Sequence, residues 1–255
     1  MSISASLKTL SPALAAALLL LSLLGTAPAH AQHAQAANPD GSLAASTAPM
    51  RPLRLQPLFG NLTVAQATQL LGEKQLQAIA ASFASTAEAS TFFANKGYEY
   101  LAENQPDTAT YRFNLAWLLN PRNADAYRGL GIIASAQPTP DAAIALLTNA
   151  LPLAPTNSAL LSDLGTSYLI RYGQQTKKKK KDLALAFDLL ERATTLDAAN
   201  GGAWQQLARA LYYQEKYAEA WAAVHKGQAA DLTSLDFSLI NDLLAKLPDP
   251  QGTIR

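Results

Sequence analysis

Side chains that could perform chemistry are few in this sequence, and their spacing does not bring them together. The three histidines are His30, His33 and His225, and the chain has no cysteine. A metal site needs several ligands that meet at one point, and His225 has no second histidine or carboxylate at ligand spacing. We therefore expect His225 to be a solvated helix residue, and the sequence predicts no metal site and no cofactor.

Other catalytic arrangements have equally little support. No set of serine, histidine and acid can be argued, and Glu99, Glu103 and Asp107 are spaced along predicted helix faces with ordinary solvent roles. The segment Gly129-Leu130-Gly131 lacks the preceding strand that a dinucleotide-binding fingerprint requires. We predict a non-catalytic protein and keep an enzyme as the alternative.

The densest charge in the sequence is a basic run at Lys177, Lys178, Lys179, Lys180 and Lys181, five of the 20 Lys and Arg residues. One interpretation is a solvated extension at a helix end, where lysines suit the negative pole of the helix. The other is a basic loop that contacts an anionic envelope lipid, glycan or peptide. The formal net charge is only +1, which argues against a dedicated nucleic-acid binder.

The elements that position these residues begin after a predicted export signal. Lys8 precedes the apolar run Ala13–Leu24, and Ala29-His30-Ala31 offers small residues at the two positions that a signal peptidase recognises. The run is shorter than the ~20 residues that span a bilayer, so we predict a Sec-type signal peptide over residues 1–31, cut before Gln32; a membrane anchor is the alternative. Without a cysteine the chain is not a lipoprotein, so a periplasmic or secreted protein with no transmembrane segment is expected.

Two predicted segments separate the signal from the rest of the chain. Gln32–Leu53 holds almost no large apolar residue, and such a composition cannot offset its ordering entropy; we predict a disordered linker over residues 32–62. Residues 63–89 are predicted as an N-terminal helical segment, with Thr63 as the cap of one helix that runs to about Ala84 and with Ser85 restarting the chain.

A repeat with a period of about 34 residues organises the remainder. Small residues occupy its eighth, twentieth and twenty-seventh positions, and proline occupies the thirty-second in two units. In chain order these positions hold Gly97, Ala109, Ala116 and Pro121; Gly131, Ala143, Ala150 and Pro155; Gly165, Ala186, Ala193 and Ala198; and Ala208, Ala220, Gly227 and Leu232. Small side chains let paired helices approach closely, so we expect Ala143 and Ala220 to be buried at helix contacts.

This pattern resembles the tetratricopeptide repeat (TPR) family, over residues 90–234. The resemblance implies an all-α, tetratricopeptide-type helical-repeat solenoid with four units, 90–123, 124–157, 158–200 and 201–234. Residues 235–255 are then a capping helix and tail. The third unit is longer than the others because of an insertion that includes the lysines. Since this insertion is polar and the repeat resumes in phase at Ala186, we expect Tyr172–Lys181 to be dispensable for folding.

In this family, ligands contact the first helix of each unit, on the inner surface of the array. The resemblance therefore implies a concave groove for a protein or peptide of unknown identity, lined here by Tyr98, Arg128, Gln205, Arg209, Tyr212 and Tyr213. Tyrosine and arginine are common interface anchors, although Tyr212 and Tyr213 could instead pack on the capping helix. The lysine and asparagine clamp with which one branch of the family holds a peptide's terminal carboxylate is absent. The implied function is that of a binding scaffold or adaptor.

Overall fold

The computed structural model describes residues 51–138, 140–175 and 179–254. The predicted signal peptide, most of the predicted linker, and Lys177 and Lys178 lie outside this part of the chain. Within it, every regular element is a helix. The α-helices are α1 (Val64–Leu71), α2 (Glu73–Ala80), α3 (Thr86–Ala102), α4 (Pro106–Leu119), α5 (Ala124–Ser135), α6 (Asp141–Ala150), α7 (Ser158–Gln174), α8 (Lys180–Leu196), α9 (Gly201–Tyr213), α10 (Tyr217–Ala230) and α11 (Phe237–Leu244).

Consecutive helices pack in pairs, α3 with α4, α5 with α6, α7 with α8 and α9 with α10, and each pair packs on the next. The predicted all-α repeat architecture is therefore confirmed. Ala143 and Ala220 are fully buried, as the repeat phase predicts. A continuous core thus runs along the array, since no pair could bury its apolar faces alone.

A contact between the eighth and twenty-fourth positions closes each helix pair. A Cβ added at Gly97, Gly131 or Gly165 would lie 2.6–2.7 Å from the side chain of Phe113, Leu147 or Leu190 respectively. These glycines are therefore required by close approach, not by turn geometry. The fourth unit has alanine at the eighth position and the smaller valine at the twenty-fourth, Ala208 and Val224, both fully buried. In each pair, a larger side chain at one of the two positions is matched by a smaller one at the other, as close packing requires.

Asparagine at the end of a unit caps the first helix of the next. The Oδ1 atoms of Asn123, Asn157 and Asn200 accept backbone N–H groups at the starts of α5, α7 and α9. Two of these asparagines also donate to serines at the first position of their own unit: Asn123 Nδ2 to Ser90 Oγ at 2.7 Å and Asn200 Nδ2 to Ser158 Oγ at 3.0 Å. One side chain thus ends one unit and starts the next.

The N-terminal segment 63–89 differs from its prediction as one long helix. Thr63 does cap α1, in a capping box with Gln66, and Ser85 Oγ accepts the Glu88 N–H at the start of α3. Gly72, however, has φ of +94°, and the chain breaks there into α1 and α2. Glycine adopts that backbone region readily, whereas other residues rarely do, so the continuous apolar spacing hid a break at a single residue.

The prediction of a disordered linker is wrong for residues 51–62, which we call the N-terminal strap. The strap contains a 3₁₀ turn, Leu53–Leu55, and a tight turn, Leu58–Asn61. The buried amide of Asn114 on α4 donates to Arg54 O at 3.1 Å and to Gln56 O at 2.8 Å. These contacts fix the strap to the second helix of the first unit.

Apolar contacts then carry the strap further along the array. Phe59 is only 1% exposed, its ring centroid lies 6.4 Å from that of Trp117, and Leu58 packs against buried residues of the N-terminal and central parts of the core. Phe59 and Leu58 thus help to order the strap, because both pack against buried partners.

The insertion in the third unit is not a detachable loop. It lengthens α7 to Gln174 and begins α8 at Lys180, so both helices extend beyond their neighbours. Tyr172 packs on Tyr213 with ring centroids 5.2 Å apart, and Gln174 Nε2 donates to Pro138 O at 3.2 Å. The extension therefore contacts both adjacent units, which argues against the expectation that Tyr172–Lys181 is dispensable.

The C-terminal helix α11 buries Leu239, Ile240 and Leu243 against the core of the fourth unit. The tail then returns to α10, where Trp221 Nε1 donates to Leu247 O at 2.9 Å. A second contact of the tail, with His225, corrects the expectation that this histidine is solvated.

His225 is mostly buried, and its Nε2 lies 2.8 Å from Asp249 Oδ1. Burial would raise the pKa of Asp249, but hydrogen bonds from the N–H groups of Gln251 and Ile254 and from His225 hold that pKa well below its usual range. His225 is therefore a structural partner of the tail and not a solvated residue, because the fold brings it an acid that is remote in sequence.

Candidate functional site

The predicted groove residues of the first two units form a paired cluster. Arg128 Nε donates to Asp163 Oδ2 at 2.7 Å, and its guanidinium carbon lies 5.6 Å from the centre of the Tyr98 ring. Burial raises the pKa of Tyr98 to about 12, although the nearby charge of Arg128 acts in the opposite direction. α3, α5 and α7 each contribute one of these side chains, so the cluster ties three units together.

The predicted residues of the fourth unit are also engaged within the protein. Arg209 pairs with Asp236, just before α11. Tyr212 contacts Tyr213 and Tyr217, with ring centroids 5.9 and 5.7 Å apart. About a quarter of the Arg209 side chain remains exposed, so this ion pair holds the guanidinium in place without removing it from solvent.

The prediction that Gln205 lines the groove is wrong. This side chain is only 3% exposed, and its Nε2 donates to Val224 O at 3.3 Å. A Cβ on Gly227 would lie 2.6 Å from the same Nε2, so the glycine makes room for the amide inside the helix pair. The other three units have alanine at the position of Gly227. This departure from the repeat was the signal in the sequence that Gln205 points inward.

A cleft of about 480 Å³ lies between α7 and α9, on the first helices of the third and fourth units. It is lined by Thr166, Leu169, Ile170, Gly173, Gln174, Gln206, Arg209 and Tyr213. Arg209 and Tyr213 were predicted site residues, and Thr166 lies on the first helix of its unit. Tyr98 and Arg128 belong to α3 and α5 and do not line this cleft.

The repeat pattern of the four units did not predict the part of the cleft that the insertion builds. Gly173 and Gln174 lie on the additional turn of α7, which the period of the repeat treats as surplus. Ile170 is 37% exposed, a large share for a branched apolar residue beside buried Leu169. The cleft therefore combines an apolar floor with amide, hydroxyl and guanidinium groups at its rim, the composition of a site that binds a ligand by burial and orients it by hydrogen bonds.

The lysine run ends beside an ion-pair cluster, because Asp182 directly follows Lys181. Lys179, Lys180 and Lys181 are exposed. Arg171 donates to both carboxylate oxygens of Asp182, at 2.9 and 2.8 Å, and to Asp141 of the preceding unit at 2.8 Å. These hydrogen bonds, above all those to Asp182, raise the pKa of Arg171. The base of the extension is thus fixed by charge pairing.

Within residues 51–138, 140–175 and 179–254, no group of three or more His, Asp or Glu side chains has the geometry to hold a metal ion. No helix in the same ranges is both long and apolar enough to cross a membrane.

No family model matches the sequence, and no curated protein matches it either. Comparison with solved structures agrees with the helical-repeat architecture. The structure of pilF from Pseudomonas aeruginosa is similar, with a TM-score of 0.52 and 21% identity over 66% of this chain and 74% of that one. TTC0263, a thermophilic TPR protein of Thermus thermophilus, gives a TM-score of 0.51 and 16% identity over 62% of this chain and 82% of that one.

Likeness at such low identity concerns the fold alone. The in-phase small residues, the contacts between the eighth and twenty-fourth positions and these two neighbours agree on one architecture. The chain is a helical-repeat protein of the tetratricopeptide type.

Proposed function

We propose that the protein is a non-catalytic scaffold that binds a peptide segment of another protein in the cleft between α7 and α9. The observation that carries this proposal is the exposed Ile170 beside Leu169 in a cleft with a polar rim. An apolar anchor of the peptide would bury Ile170, and the fixed guanidinium of Arg209 would orient a carbonyl or carboxylate of the same peptide.

The chemistry of the cleft supports binding in preference to catalysis. Its polar side chains are hydroxyl, amide and guanidinium groups, with Thr166 on α7 and with Gln206 and Arg209 on α9. A hydroxyl nucleophile is commonly activated by an adjacent histidine or carboxylate, and the residues that line the cleft include neither. The TPR architecture is itself a common binding platform.

Export belongs to the same proposal. Its support is the predicted signal peptide over residues 1–31, so the scaffold would act in the periplasm or outside the cell. Sequencing of the N-terminus of protein isolated from the producing cell should find Gln32; a chain that still starts at Met1 and stays in the membrane would contradict export.

Peptide selection from a random phage-displayed library tests the binding proposal. The wild-type protein should enrich a family of peptides with a shared apolar anchor, and Ile170→Glu should lose them because a carboxylate would occupy the floor of the cleft. Leu196→Glu is the matched control, since Leu196 is an exposed apolar residue on α8 outside the cleft. Equal enrichment by both variants would place peptide binding elsewhere on the array.

The exposed Lys179, Lys180 and Lys181 favour a second candidate, an accessory that contacts an anionic envelope lipid or glycan. Binding to vesicles with acidic lipid that weakens with salt and disappears when Lys177–Lys181 are changed to glutamine would support it. Vesicle binding that survives those changes would refute it.

A further inference from the structure

The N-terminal strap builds a second cavity, remote from the α7–α9 cleft. This cavity has a volume of about 440 Å³ and lies between the strap, α1, the start of α2 and Tyr111 of α4. Its apolar side consists of Leu53, Phe59, Leu70 and Leu71. Leu70 is 50% exposed, so the cavity opens to solvent across an apolar lip.

An unusual backbone shapes this wall. Leu58, Phe59, Gly60 and Asn61 all have φ between +50° and +77°, a left-handed turn that L-residues with a side chain rarely adopt. The turn directs Phe59 into the cavity wall, and a Cβ on Gly60 would lie 2.8 Å from Leu53 Cδ2. Strained conformations of this kind collect at ligand clamps because the surrounding structure must hold them.

The polar side of the cavity is cationic. Arg54 and Tyr111 line it, and Arg54 has no ion-pair partner among the described residues. The neighbouring Arg112 does not line the cavity; it is about nine-tenths buried, and its guanidinium carbon lies 5.4 Å from the centre of the Tyr100 ring and 5.9 Å from that of Tyr111. Its Nη1 has no hydrogen-bond partner among the described residues. Burial raises the pKa of Tyr111, while the charges of Arg112 and Arg54 lower it. Both guanidinium groups therefore act electrostatically on the phenol.

We propose that this cavity binds a single-chain amphiphile with an anionic head, of the fatty-acid class. The carboxylate would accept hydrogen bonds from Arg54 and the Tyr111 hydroxyl, and the acyl chain would lie along Leu53, Phe59 and Leu71. Charge complementarity decides the head group, because the unpaired Arg54 lies at the rim of a wall that is otherwise apolar. The open lip at Leu70 allows the chain to enter from solvent. The site does not depend on the peptide-binding cleft.

Displacement of a fluorescent undecanoate probe by lauric acid tests this inference, with dodecanol as the uncharged match. Arg54→Met should weaken laurate on the order of tenfold and leave dodecanol nearly unchanged. Gln75→Trp should weaken both, because exposed Gln75 lines the cavity and an indole would fill it. Arg122→Gln is the control on an exposed arginine outside the cavity.

Three results would overturn the inference. They are failure of laurate to displace the probe, equal binding of laurate by wild type and Arg54→Met, and stronger displacement by a peptide with an apolar C-terminal residue, which would make this a peptide site. Circular dichroism melts of each variant show whether a lost signal reflects unfolding. Because Ile170→Glu leaves this cavity untouched, laurate binding by that variant separates the two sites.

Discussion

Phe113 is held between the backbones of two helices, and this arrangement predicts an unusual response to a methyl group. A Cβ on Gly129 of α5 would lie 2.2 Å from Phe113 Cε1 and Cζ, and one on Gly97 of α3 would lie 2.6 Å from Cε1. The ring is fully buried, so it has little room to move away from an added methyl group.

We predict that Gly129→Ala destabilises the protein although alanine favours helices. Overpacking a filled core costs about 1–3 kcal/mol, and a distance of 2.2 Å places this site at the upper end. The higher helix propensity of alanine returns about 1 kcal/mol, which leaves a net loss of about 2 kcal/mol. For a protein of this size that corresponds to a melting temperature lower by about 4–8 °C.

Thermal and urea unfolding followed by circular dichroism at 222 nm would measure this loss. Gly202→Ala is the matched control on α9, because its Cβ would lie 3.6 Å from the nearest atom, Asn200 Oδ1; it should stabilise the protein by up to about 1 kcal/mol. In a Phe113→Leu background the cost of Gly129→Ala should fall by about 1 kcal/mol or more, since the two residues share one contact. If Gly129→Ala melts at or above the wild type, the ring does not lie between the two glycines.

Four other predictions concern the same array. Ala143→Leu should cost about 1–3 kcal/mol in urea unfolding because Ala143 is fully buried; an unchanged midpoint would contradict the repeat phase. Arg171→Gln should cost about 3 kcal/mol, since Asp182, only 4% exposed, would lose its partner; the exposed pair Arg192–Asp188 is the control, where Arg192→Gln should cost less than about 1 kcal/mol. Deletion of Tyr172–Lys181 should lower the melting temperature, whereas replacing only the lysines with glutamine should not; equal melting of both would mean that the extension contributes nothing. Asp249→Asn should destabilise by about 1–3 kcal/mol at neutral pH. Because the pKa of Asp249 is lower in the folded state, that contribution is present above about pH 4 and is lost as the pH falls further, so the difference from wild type should shrink on acidification. A difference that grows instead would refute this assignment.

Residues with a packing role could be predicted well from the sequence. The spacing of Gly131, Ala143 and Ala150 identified the unit, its phase and the burial of Ala143, because the contacts that select small residues recur in every unit. The capping roles of Thr63 and Ser85 were equally accessible, since a cap depends on residues within one turn.

The candidate site was less predictable, because inner-surface positions are defined by the repeat while their exposure depends on neighbours. Arg209 and Tyr213 line the cleft, but Gln205 is buried in the space left by Gly227. The partner of His225, Asp249, is brought to it by a return of the tail that local spacing does not encode.

Length variation was the other source of error. A repeat pattern treats additional residues as a loop, whereas here they extend two helices and build part of the cleft with Gly173 and Gln174. The strap escaped prediction because its order depends on distant partners, such as Asn114 for its backbone and Trp117 for Phe59.

The strap also determines how a mechanical load would enter the molecule. It precedes α1 in the chain, yet its backbone is held by Asn114 on the second helix of the first unit, and Phe59 packs near Trp117 of the same helix. Tension on the preceding segment would therefore act in shear on these contacts before it could pull α1 and α2 from the end of the array. A protein tethered by its N-terminus would therefore transmit force into the second helix of its first unit.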